Sequence, residues 1–94
     1  MITISVKEKE IKIGGHALYD SFGKDIVCAS VSSIIITTIN ACEKIEDKSL
    51  SYNESNPLFI KVLSNNEVIL KLIDNMIVLL KELAKDYPKN IKFL

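Results

Sequence analysis

Residues 26–42 read IVCASVSSIIITTINAC, 17 positions without a charged side chain. Two readings compete for this run. Val31 and the IIITTI segment 34–39 are β-branched, and propensity alone assigns them to a strand. Length decides for a helix, because strands usually hold about five or six residues. On a helix the run places Ile26, Ala29, Ile35, Ile39 and Cys42 among the buried positions, and the element ends near Lys44. Asp25 stands just before it and is of N-cap type. The run also carries Ser30, Ser32, Ser33, Thr37, Thr38 and Asn40, and it falls short of the ~20 apolar residues that a membrane span needs. A buried core helix is the expectation.

Upstream, Ile2, Ile4 and Val6 alternate with Thr3, Ser5 and Lys7, and Ile11 and Ile13 resume the alternation after the charged KEKE segment 7–10. These are two strands of a hairpin. Gly14 and Gly15 close the second strand, and residues 15–24 form a loop with glycine at both margins. Downstream, a short strand is expected near residues 50–53 and another over 58–63, with uncertain register. Ser64 followed by Glu67 has the capping-box pattern, and Ile69, Ile73, Met76, Ile77, Leu80, Leu83, Ala84 and Tyr87 recur at helical spacing. Pro88 stops that helix, and residues 91–94 leave room for a last short strand. The expected fold is α+β: two layers in the order ββαββα(β), an antiparallel sheet covered on one face by both helices.

Length and charge narrow the function. A chain of 94 residues holds one domain, expected to span 1–94, and buries roughly 60 to 65% of its unfolded surface. Any site is therefore shallow or shared with a partner. Twelve lysines balance twelve acidic residues, which removes the electrostatic footprint of a dedicated nucleic-acid or membrane-surface binder. Neither nucleic acid nor membrane is an expected partner. The opening MITISVKEKE lacks the layout of a secretory signal and reads as cytoplasmic. Cys28 and Cys42 on one helix would stand about 21 Å apart along its axis, too far to share a disulfide or a metal. His16 is the only histidine, and no acidic spacing completes a zinc site, so no metal and no cofactor are expected. Gly23-Lys24 lacks the upstream glycine and the following Ser or Thr of a phosphate-binding loop.

The chemistry concentrates in GGHALYDSFGKDIVCASVS, residues 14–32, which joins the single histidine to a cysteine on the first turn of the expected helix. Backbone N–H groups at a helix start carry partial positive charge and favour a thiolate there. His16 on the adjoining loop would complete a Cys/His dyad. Composition alone favours the blander reading, a buried helix cysteine beside a surface-loop histidine, and the residues by themselves do not settle it.

The pattern Gly15-His16-Ala17, Gly23, Asp25-Ile26-Val27-Cys28-Ala29 and Ser32 resembles the ribosomal-processing cysteine protease (Prp) family, and the Tyr87-Pro88…Ile91 tail is similar to its C-terminus. The resemblance covers nearly the whole chain. It implies a small α+β homodimeric domain that removes an N-terminal extension from a large-subunit ribosomal protein precursor, cutting after an aromatic residue. It further implies that Cys28 is the nucleophile and His16 the general base, with Gly15, Asp25 and Ser32 beside them. An N-cap Asp25 puts negative charge near the thiolate, so a protonated His16 between the two would reconcile them, with Asp25 as orienter. Ser32, one turn after Cys28, is placed to bond substrate or Asp25, or to bond back to the helix. Tyr19 and Phe22, with Gly23 on the same loop, are substrate contacts or loop anchors. Cys42 matches no catalytic position. Ser30 stands where the family commonly has alanine, and the first hairpin is shorter than usual, which bears on peptide specificity more than on the dyad.

Two function classes follow. The leading one is a cytosolic cysteine endopeptidase. The other is a non-catalytic ribosome-assembly binding module that keeps the motif as scaffold, with Cys28 inert. The apolar residues of the two helices exceed what one small core covers, so a homodimer is expected.

Overall fold

The computed structural model describes residues 1–15, 26–53 and 55–94. Asp25 as N-cap and the loop after Gly15 lie outside them. The hairpin strands are β1 (Ile2–Lys7) and β2 (Glu10–Gly15), followed by helix α1 (Ile26–Ile45), β3 (Leu50–Tyr52), β4 (Leu58–Val62), helix α2 (Glu67–Asp86) and β5 (Ile91–Phe93). One sheet holds all five strands in the order β3-β4-β2-β1-β5.

Alternation fixes which face of each strand is covered. Register pairs Ile4 with Ile13, Ile11 with Ile60, Leu50 with Val62 and Ile2 with Ile91, and all eight side chains are buried. The residues between them, such as Lys12, Phe59, Lys61 and Lys92, face outward and are exposed. Onto the inner face α1 lays Val27, Val31, Ile35, Ile39 and Cys42, and α2 lays Ile69, Ile73, Met76 and Leu80.

The connectivity explains why both helices share a face. β2 and β3 each run antiparallel to β4, so they are parallel to one another and α1 is the crossover between them. β4 and β5 are both parallel to β1, and α2 is their crossover. The two units run in opposite directions and move opposite ways across the sheet. Crossovers of the same hand then land on the same side. The α+β class agrees with the sequence reading. The sheet differs at one edge: β5 lies parallel to β1 and makes it mixed, because a helical crossover can return the chain in the direction it left.

Two local expectations are corrected. Ile26 is 53% exposed and Ala29 is also exposed, because the buried stripe steps by four from Val27 to Val31 to Ile35 and turns its neighbours outward. The α2 cap is Asn66 instead of Ser64: Asn66 Oδ1 accepts the Val68 N–H at 2.9 Å. Ser64 is buried two residues earlier, its Oγ accepting the Asn66 N–H at 2.9 Å. The capping-box pattern stands two residues before the frame that seats Ile69 and Ile73 on the sheet.

At 20 residues, α1 is long and apolar enough to cross a bilayer by length and composition alone. Its buried stripe is packed on the strands, the arrangement of a core helix. The joint between α1 and β3 contains one defect. Ser49 is fully buried, its carbonyl accepts the N–H groups of Leu63 and Ser64 at 2.8 and 3.2 Å, and its Oγ has no partner among the described residues. Ser49→Ala is expected to raise stability by about 1 kcal/mol and Tm by about 4–8 °C, measured by urea and thermal unfolding. A loss of stability would overturn this reading of the hydroxyl.

Candidate active site

Cys28 is the third residue of α1, on a first turn that carries no acidic side chain among the described residues. It is half-buried and packed against the core from its edge. The end of β2 and the turn between β3 and β4 meet the helix there. Together they line an open cavity of about 150 Å³ bounded by Cys28, Gly15, Ser32 and Asn56 with Ile2, Ile13 and Val31. A second hollow of about 470 Å³ continues along α1, bounded by Ile36, Ile39, Tyr52 and Asn53. The two share Ser32, Ile35, Ser55 and Leu58, so one groove runs from the cysteine to the β3 edge.

Gly15 is demanded by this geometry. Its φ is +86°, and an added methyl would sit 2.1 Å from the Met1 carbonyl oxygen. On its other side its N–H donates to Asn56 Oδ1 at 3.1 Å.

Of the residues singled out from sequence, the structure brings Cys28, Ser32 and Gly15 to one cavity. His16, Asp25, Tyr19, Phe22 and Gly23 lie outside the described residues. Ser30, the departure from the family pattern, donates its hydroxyl to the Ile26 carbonyl at 2.7 Å, a bond within the helix. Sequence reasoning missed Asn56, Asn53 and Tyr52. Residues 50–53 read as a short strand in a polar segment with no role at the site, and only the β2–β4 pairing carries the end of that segment to Gly15, 41 positions away.

The two cysteines occupy opposite environments, and neither is in a disulfide. Burial, and secondarily the Glu43 carboxylate, push the Cys42 thiol above its ordinary value, while Cys28 lines the groove. At about pH 7 iodoacetamide is expected to modify Cys28 at least ~10-fold faster than Cys42, read by peptide mass spectrometry. Equal rates would mean that Cys28 is no more reactive than a core thiol.

A thiol on a helix start that lines a surface groove is an arrangement a nucleophilic cysteine can use. The family model for cysteine protease Prp matches residues 1–92. The chain belongs to this family. It is a cysteine protease. The ribosomal processing cysteine protease Prp of Mycoplasma pneumoniae is 35% identical over 99% of this chain and 93% of its own, and that of Mycoplasma genitalium 33% over 97% and 92%. Among solved structures, the essential ribosomal processing protease Prp from Staphylococcus aureus, in complex with a covalently linked product peptide, superposes with a TM-score of 0.88. It is 26% identical and covers 99% of this chain and 97% of the other. The Staphylococcus protein thus has the same fold.

Proposed function

We propose that the chain is a cytoplasmic ribosomal-processing protease that removes the N-terminal extension of a large-subunit ribosomal protein precursor through a dyad of Cys28 and His16. The observation that carries the reading is the placement of Cys28 on the first turn of α1, where it lines the smaller of two adjoining hollows that continue along the helix to Tyr52. The names of the Mycoplasma and Staphylococcus relatives support the substrate class.

The chemistry follows from those groups. His16 takes the thiol proton, and the Cys28 thiolate adds to the scissile carbonyl carbon, moving the C=O π electrons onto oxygen. The C–N bond then breaks, the imidazolium returns its proton to the departing amine, and a thioester joins Cys28 to the acyl fragment. Water, deprotonated by His16, adds to the thioester. The C–S bond breaks, releasing the carboxylic acid and restoring the thiol. Asp25 orients the imidazole, Ser32 bonds the peptide beside Cys28, and Tyr19, Phe22 and Gly23 flank the bound chain. The apolar wall of Ile36, Tyr52 and Leu58 suits the aromatic residue before the cut.

The test is mass spectrometry of a synthetic precursor peptide after incubation with the protein. One new N-terminus, generated after an aromatic residue and abolished by prior alkylation of the enzyme, is the expected result. An intact peptide, or cleavage that survives alkylation of Cys28, would overturn the reading.

The working form proposed is a homodimer. Ile26, Val68, Val78 and Leu79 are each more than a third exposed, apolar surface outside the groove that a second copy would cover. Sedimentation equilibrium at tens of micromolar is expected to give twice the 10.5 kDa chain mass, and a monomer there would remove the dimer from the account.

A further inference from the structure

Both helices pack on the inner face of the sheet, and among the described residues no element crosses the outer one. The charges on that face are drawn unevenly from a neutral chain: Lys7, Lys12, Lys61 and Lys92 stand against Glu10 alone. The acids concentrate on α2 and around the end of α1, as at Asp74, Glu82 and Glu43. Zero net charge is thus an average over two unlike surfaces. Strand register sets the order of the lysines. Lys61 and Lys7 flank Glu10 in one row across β4, β2 and β1, Lys12 stands beside Phe59 in the next, and Lys92 pairs with Thr3 in a third. Phe59 is 51% exposed on this face, and the Lys12 ammonium lies over its ring, 5.5 Å from the centroid. Beside the ring is a hollow of about 540 Å³ whose lining includes Phe59, Lys61, Ser51 and Glu10. The face therefore sets cations around an exposed aromatic ring, with one carboxylate and one hydroxyl at the edge of the hollow.

We infer that this outer sheet face binds single-stranded RNA. Phosphates pair with Lys12, Lys61 and Lys92, and a base enters the hollow and stacks on Phe59. The Glu10 carboxylate, which can only accept, takes a hydrogen bond from a ribose 2′-hydroxyl, a group that DNA lacks. Other occupants fit less well. A second copy would set lysine against lysine, and an acidic peptide would bring its own carboxylates against Glu10 while leaving the ring unused. The inference is independent of the proteolytic reading, because none of these side chains lines the cavity beside Cys28.

Fluorescence anisotropy with the full chain tests it, using a labelled single-stranded RNA of about 12 nucleotides and mixed sequence, DNA of the same sequence, and an aspartate-rich peptide of equal charge. The RNA is expected to bind with a Kd of roughly 1–100 µM at about 50 mM salt. Its log K should fall with log salt at a slope of about −2 to −3, as three or four neutralised phosphates require. The DNA is expected to bind at least ~5-fold more weakly. Phe59→Ala should weaken RNA binding about 10-fold with the salt slope unchanged, whereas Lys12→Ala combined with Lys61→Ala should make the slope shallower by about 1.4. Glu10→Ala should erase the preference for RNA over DNA. All four side chains are exposed, so the Tm and the precursor cleavage of these variants are expected to stay near the parent's. No RNA binding at about 100 µM protein and low salt overturns the inference. So does DNA bound as tightly as RNA, or a peptide bound as tightly, which would make the face a site for acidic proteins. RNA binding untouched by the Phe59 and lysine substitutions would place it elsewhere on the molecule and overturns the inference too. A fall in sedimenting mass of the same variants without RNA would assign the face to a second copy of the chain instead.

Discussion

Cys28→Ala is expected to abolish cleavage of the precursor peptide, with a fall in kcat on the order of 10⁶-fold, while peptide binding and the fold persist. The size of the effect follows from what is removed. With the sulfur gone no thioester forms, and the remaining groups offer only orientation and polarisation to a water molecule, a much weaker nucleophile in that position. The fold is spared because Cys28 is half-buried at the first turn of α1, where an alanine keeps the helix and vacates little space. Steady-state kinetics, peptide binding by calorimetry and a thermal melt together check the statement. Residual cleavage within ~100-fold of the parent would reassign the nucleophile.

Gly15→Ala is expected to be the most damaging small substitution in the chain, costing roughly 3 kcal/mol of stability and lowering Tm by about 12–24 °C. Two costs add. The left-handed backbone at φ +86° penalises any Cβ, and the methyl would lie 2.1 Å from the Met1 carbonyl oxygen, inside any permitted contact. Relief requires β1 and β2 to part at their open end, which withdraws Gly15 from Asn56 and widens the cavity beside Cys28. Urea unfolding and a cleavage assay read the two consequences separately. A variant as stable as the parent would show that this backbone can relax at little cost.

What could be read in advance was whatever a local period encodes. The hairpin strands follow from strict alternation, and α2 follows from Ile69, Ile73, Met76 and Leu80 at helical spacing. For α1 length prevailed over the β-branched run, because a 20-residue element packed along a sheet satisfies its backbone internally whatever its side chains prefer. The parallel edge was not legible. Residues 91–93 carry no mark of which strand they will join, and that choice belongs to the crossover through α2. The cap at Asn66 was missed because Ser64 and Glu67 imitate a capping box, while the true frame is set by burial of the next two turns. The site divided in the same way. Cys28, Gly15 and Ser32 lie close in sequence and were found together; Asn56 and the groove wall at Tyr52 arrive through strand pairing, which local pattern does not report.

The interleaving of the two crossovers has a consequence for when the enzyme becomes active. The cavity is closed by Gly15 from the end of β2, Cys28 from the start of α1 and Asn56 from the turn before β4. No two neighbouring elements of the chain can build it. The hairpin and α1 form from local contacts and are quick to appear, but β4 must dock between β2 and β3 before the third wall exists, and such non-local pairing is slow. During synthesis Cys28 is therefore made well before residue 62, the last of β4, is free to pair, and a chain cut before β4 is expected to lack the Asn56 wall of the cavity and to cleave no peptide.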